Sequence, residues 1–151
     1  MLFRSRTSSE YVFDTEAIVA FLYNEPGHET AAARLDEVFA GDSEGFLTEA
    51  NASEVFYLVA RFEGVNEAPT DDSLRDADRD LRALERQGLR LEAADWRLAA
   101  DVKAAGGISL ADAYAVALAN DRDATLIVGA DDDFEELPVD VSVTQFREQS
   151  V

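Results

Sequence analysis

Short apolar, β-prone runs recur along the chain, each separated from the next by one or two stretches of helical periodicity. The runs are Tyr11-Val12-Phe13, Phe46-Leu47, Leu89-Arg90-Leu91, Thr125–Val128 and Val139–Val143. After the first, Ala17, Ile18, Phe21 and Leu22 recur at helical spacing until Pro26-Gly27 breaks the pattern. Further helices are read over residues 32–39, 51–62, 71–87, 96–105 and 109–120. The 71–87 helix carries Leu74, Ala77, Leu81 and Leu84 as its apolar stripe. Strands separated by whole helices cannot pair as hairpins; they form a parallel sheet with helices on both faces. The expected fold class is therefore α/β, an α/β/α sandwich around a central, mostly parallel sheet of four to five strands. Residues 1–9 read as a loose N-terminal extension, 10–146 as a single domain and 147–151 as a tail. Gly64 to Thr70 is the most linker-like stretch and is too short to divide two domains.

Composition narrows the chemistry. With 151 residues, 47% of them apolar, the chain can bury a full core, and disorder is excluded. Lys and Arg total 13 against 32 acidic residues, a net charge of −19, the opposite of the usual basic footprint of a nucleic-acid binder. The absence of cysteine removes disulfides, thiolate metal sites and thiol nucleophiles. His28 is the one histidine, so multi-histidine metal sites are excluded. All the basic residues but Lys103 are arginine, and small apolar residues abound. That balance suits concentrated salt, where a Debye length of about 3 Å screens self-repulsion, and the expectation is a halophile's cytoplasmic protein. No apolar run is long enough for a membrane span or a signal peptide.

What remains in quantity is carboxylate. In parallel sheets ligands sit beyond the carboxyl ends of the strands. Asp14 directly follows the first strand, and Glu54 lies in the first turn of the helix after the second. Asp112 lies in the first turn of the helix opened by Ser109, and Asp131 and Asp133 follow the Thr125–Val128 strand. Each has a plain structural reading. Asp14 can cap its helix, Asn51-x-x-Glu54 and Ser109-x-x-Asp112 fit capping boxes, and Asp131-Asp132-Asp133 can be a solvated turn. Their convergence on one edge argues for more, because such a cluster repels itself unless a hard cation is present. Oxygen-only ligands select Mg²⁺ or Mn²⁺. A water activated by such an ion is the natural nucleophile, and the chemistry this favours is phosphodiester hydrolysis.

These segments resemble those of one family. Val12-Phe13-Asp14-Thr15-Glu16-Ala17 resembles the opening strand and turn of PIN-domain ribonucleases. Asn51-Ala52-Ser53-Glu54-Val55 is similar to that family's second acidic motif, and Ser109-Leu110-Ala111-Asp112-Ala113 to its third. Leu126–Phe134 resembles its closing strand and acidic turn, so the resemblance runs from about Tyr11 to Phe146. It implies a PIN-like fold and a metal-dependent endoribonuclease of the VapC-like toxin kind. Asp14, Glu54, Asp112 and Asp131 would be catalytic and hold one or two Mg²⁺ or Mn²⁺ ions, with Asp133 assisting. It also implies an RNA substrate, a homodimer held by the early helices, and an antitoxin that occupies the cleft. Two departures stand out: Gly129, where the family usually has Thr or Ser, and the stretch before Tyr11.

Other features have plainer readings. Arg75, Arg79, Arg82 and Arg86 form a stripe that could follow an RNA backbone, but acidic residues at i±3 and i±4 pair with them. Arg61, on the helix of Glu54, is a less neutralised candidate for substrate contact. His28 reads as an exposed loop residue, and Trp96 as a core or dimer-interface anchor. Two rival functions stand beside the nuclease. A haloacid-dehalogenase-like phosphatase would use Asp14, Lys103 and the Asp131/Asp133 pair, though Glu16 stands where that family wants a second Asp. An idle PIN-like binding module would keep the fold without cation affinity.

Overall fold

A computed structural model describes residues 9–129 and 137–145. Its strands are β1 (Ser9–Phe13), β2 (Ser43–Thr48), β3 (Arg90–Glu92), β4 (Thr125–Val128) and β5 (Val143–Gln145). Its helices are α1 (Thr15–Tyr23), α2 (His28–Phe39), α3 (Glu49–Phe62), α4 (Asp71–Gln87), α5 (Trp96–Ala105) and α6 (Leu110–Arg122). The strands form one sheet in the order β3-β2-β1-β4-β5, and every pairing is parallel. This is the α/β sandwich expected from the alternation.

The sheet divides the core in two. Phe13, Leu47 and Ile127 face a cluster with residues of α1 to α4, including Ile18, Leu35, Val55 and Leu81. Val12, Phe46, Leu126 and Val128 face a second cluster with α5 and α6, built from Val102, Ile108, Val116 and Leu118. The central strands β1 and β4 are covered on both faces, which is why Thr125–Val128 reads as an unbroken apolar run. Arg122 closes the far end of α6 against the sheet. Its guanidinium stacks 3.8 Å from the Phe46 ring centre and bonds Glu10 and Glu92.

The edges depart from the sequence expectation. Beyond Phe46-Leu47, β2 takes in the polar Ser43-Glu44-Gly45, because Ser43 and Glu44 pair with Ser9 and Glu10 of β1. Ser9 thereby joins the sheet rather than the extension. The last strand begins where the 139–143 run ends: Val139 and Val141 pack on the second cluster as irregular chain, and Val143 starts the ladder opposite Leu126. Alternating apolar residues read as a strand there, but the register with β4 decides which residues pair.

Loops and caps fix the helices. Thr70 and Ser73 form a reciprocal capping box at the start of α4. Ahead of it, Asn66 and Glu67 both take left-handed φ, at 53° and 60°, and Val65 pairs with Ala68. A Cβ on Gly64 would collide with the Ala68 carbonyl, so only glycine fits this turn. Two expectations are corrected. His28 opens α2, half-buried, with Nδ1 3.1 Å from the Glu25 carbonyl, rather than lying in an exposed loop. Trp96, at the start of α5, is 69% exposed, which overturns the core alternative of its reading and leaves that of an interface anchor. No described helix is long and apolar enough to cross a membrane.

Candidate active site

The carboxyl end of β1 leads directly into α1, and Asp14 is the hinge between them. Its backbone N–H donates to the Ile127 carbonyl at 3.1 Å, carrying the β1–β4 ladder one residue past Phe13. Its side-chain Oδ1 accepts the Ala17 N–H at 2.8 Å, and the residue is only 3% exposed. Asp14 is thus the N-cap of α1, fixed at both ends. A carboxylate offers about four acceptor positions, so capping and ligation are compatible chemistry.

The second locus is built by a buried polar network. Thr48 caps α3 by accepting the Asn51 N–H at 2.9 Å, which corrects the reading of Asn51 as the cap. Asn51 is fully buried. Its side-chain carbonyl accepts from the Thr48 hydroxyl at 2.6 Å, and its amide donates to Thr15 Oγ1 at 3.0 Å. The first turns of α1 and α3 are therefore tied together by hydrogen bonds, and no buried side-chain polar atom is left unpaired among the described residues. Glu54 follows one turn beyond Thr48's capped turn, in an exposed position of α3.

The third locus is the start of α6. Ser109 caps the helix, accepting the Asp112 N–H at 3.1 Å. The loop before it is clamped by Lys103, whose Nζ donates to the Ile108 carbonyl at 2.9 Å.

Asp14, Glu54 and Asp112 line one cavity of about 210 Å³, together with Thr15, Glu16, Leu58 and Ser109. Asp131 and Asp133 lie outside the described residues. Among the described residues, no three acidic or histidine side chains form a ready-made cation site. The donor set is nonetheless of one chemical kind, carboxylate oxygen with hydroxyls beside it, and that kind suits a hard divalent cation. A second hollow of about 310 Å³, lined by Ala52, Ser53, Phe56 and Leu81 between α3 and α4, carries no charged side chain.

Glu16 is a lining residue that the sequence reading did not assign to the site. Its signal was its place two residues after Asp14, in the first turn of α1. Arg61 lies two turns beyond Glu54 and is not among the cavity's lining; its guanidinium pairs with Glu67 at 3.3 Å and stacks on Tyr57. Three arginines of the α4 stripe are paired along the helix, Arg75 with Asp72, Arg79 with Asp76 and Arg82 with Asp78, whereas Arg86, with no acidic residue at i±3 or i±4, makes no ion pair among the described residues. Lys103, which a phosphatase would need at the site, spends its amine on the loop carbonyl.

The geometry and the known proteins agree on the class. The family model described as PIN domain matches residues 11–140, and the chain belongs to the PIN-domain family. No curated protein sequence matches it. Among solved structures, it is similar to VapBC2 from Rickettsia felis bound to a DNA fragment from its promoter. That likeness has 13% identity and a TM-score of 0.64, covering 90% of this chain and 98% of the other. It is equally similar to a toxin–antitoxin complex from Klebsiella pneumoniae, at 17% identity and a TM-score of 0.64, covering 92% and 99%. FitAcB from Neisseria gonorrhoeae is similar at 20% identity and a TM-score of 0.61, covering 90% and 97%. At these identities the likeness is one of fold.

Proposed function

We propose that the chain is a divalent-cation-dependent endoribonuclease that hydrolyses RNA phosphodiester bonds, and that it is the toxin of a toxin–antitoxin pair. The observation that carries the nuclease reading is the meeting of Asp14, Glu54 and Asp112, from three separate elements, on one cavity at the carboxyl end of the sheet. The toxin reading is supported by the similar solved structures, which are toxin–antitoxin complexes of the same fold.

Asp14, Glu54 and Asp112, with Asp131 and with Asp133 assisting, would hold Mg²⁺ or Mn²⁺. The bound ion would supply an activated water and neutralise charge on the phosphate. The chain's own contribution is rigidity. Asp14 is held by the sheet and by its cap, Asp112 stands in a capped first turn, and the Asn51 network fixes α3 relative to α1. Without a cation this wall of carboxylates would repel an RNA phosphate, so cleavage is obligatorily cation-dependent. Arg61 is the proposed substrate contact; its exposed pair with Glu67 is cheap to open. A homodimer, a cytoplasmic location and a working environment of high salt complete the reading, the last resting on the net charge of −19. The similar structures come from bacteria and lend no support to a halophilic source.

The test is cleavage of several RNAs in molar KCl with Mn²⁺ or Mg²⁺, with EDTA as the blank. Cutting that needs the ion supports the reading. A folded protein that cuts none of them contradicts it, and a silent Mn²⁺ titration in addition favours the idle module.

A further inference from the structure

Glu16 and Gly129 occupy each other's space. Gly129 is the buried residue that follows β4, and the Glu16 carboxylate lies directly over it. A Cβ on residue 129 would stand 3.1 Å from Glu16 Cδ and closer to Oε2 than two heavy atoms can approach. The backbone gives no reason for a glycine here, because Gly129 is not among the positive-φ glycines, Gly27, Gly41 and Gly88. What demands glycine is the carboxylate. Any side chain at 129 must swing Glu16 away, and since the obstacle is the end of a flexible side chain, the swing leaves the fold intact.

The place where Glu16 is held matters. It lines the same cavity as Asp14, Glu54 and Asp112. It stands at the positive end of α1, where the helix dipole favours negative charge. Gly129 also begins the segment that leads to Asp131. We propose that Glu16 is a further cation-binding carboxylate of this site, and that Gly129 is the residue that admits it. The inference rests on the nuclease reading of the cavity and adds a residue to it. An extra carboxylate raises affinity for a hard divalent ion, because affinity in such sites follows the charge of the ligand set. The empty site accepts more like-charge repulsion in return.

The experiment is calorimetric titration of Mn²⁺ into the full chain, comparing wild type with Glu16→Gln, Gly129→Ala and the double variant. Glu16→Gln keeps the side-chain volume and removes the charge; Gly129→Ala keeps the charge and displaces it. Each single change is expected to weaken Mn²⁺ binding about tenfold or more, the scale seen when a group supporting a metal site is lost. The double variant should bind no worse than Glu16→Gln, since both changes remove one and the same carboxylate. Thermal unfolding in EDTA should show all variants folded. Wild-type affinity retained by either single variant, while Asp14→Asn loses it, overturns this inference alone. No Mn²⁺ uptake by the wild type overturns the nuclease reading along with it.

Discussion

Asn51 donates its side-chain amide to Thr15 Oγ1 at 3.0 Å, joining two helix starts that are 36 residues apart in the chain. With the Thr48 hydroxyl bound to its carbonyl at 2.6 Å, the asparagine is satisfied in a fully buried position. Thr15 adjoins Asp14, and Asn51 precedes Glu54 by less than a turn. The strut therefore sets the distance between two of the cavity's carboxylates.

Asn51→Leu removes both side-chain hydrogen bonds, taking from the Thr48 hydroxyl its acceptor and from Thr15 Oγ1 its donor. The expected cost is about 1–3 kcal/mol of stability, the scale for unmaking buried hydrogen bonds. Urea unfolding checks it, and a change of less than about 0.5 kcal/mol would show that the network is dispensable.

Ser109 and Asp112 belong to one helix turn but should separate in their effects. Ser109→Ala removes the cap of α6 and should cost about 1 kcal/mol by urea unfolding. Asp112→Asn keeps its backbone N–H bonded to Ser109, so its stability should stay within about 1 kcal/mol of wild type. RNA cleavage should nevertheless fall by orders of magnitude in Asp112→Asn.

Glu37 makes part of the acid limb of stability. Burial by itself would raise its carboxyl, but hydrogen bonds from Arg34, Tyr11 and Ser43 outweigh this and hold it below its ordinary value. A carboxyl depressed in the folded state stabilises above its unfolded pKa, and the contribution disappears as pH falls through the folded value. Thermal unfolding across the acid range should therefore show Glu37→Gln less stable than wild type near neutrality, with the gap closing at low pH. A gap that persists unchanged in acid would mean the hydrogen bonds act without the charge.

A net charge of −19 makes ionic strength a lever on the whole fold. The Debye length shrinks from about 30 Å at 0.01 M to about 3 Å at 1 M. The melting temperature should rise as KCl is raised over that range. A fall would exclude adaptation to high salt.

The buried centre of the molecule was readable from sequence, and its periphery was not. Thr125–Val128 announces a strand covered on both faces, and Gly88 marks the end of α4 where the structure has it. Ser43-Glu44-Gly45 gives no such signal, since only pairing with β1 makes it a strand. Val139 and Val141 alternate like a strand yet pack as irregular chain. At the site, motif order along the chain was enough to bring Asp14, Glu54 and Asp112 to one cavity. Asn51 was legible as a helix-start residue but not as a strut, because its partner Thr15 is distant in sequence. The contact of Glu16 with Gly129 was illegible for the same reason, since 113 residues separate the two in the chain.

On the proposed function, Asp14, Glu54 and Asp112 act as one site. Single-turnover cleavage of RNA with Mn²⁺ tests it, comparing wild type with Asp14→Asn, Glu54→Gln, Asp112→Asn and the Asp14→Asn/Asp112→Asn double. Groups that act as a unit are strongly non-additive. Each single change should abolish most of the rate, by about a hundredfold or more, and the double should be scarcely worse than either single. Near-wild-type cleavage by any single variant, or small losses that simply multiply in the double, would show that the three carboxylates do not form one site.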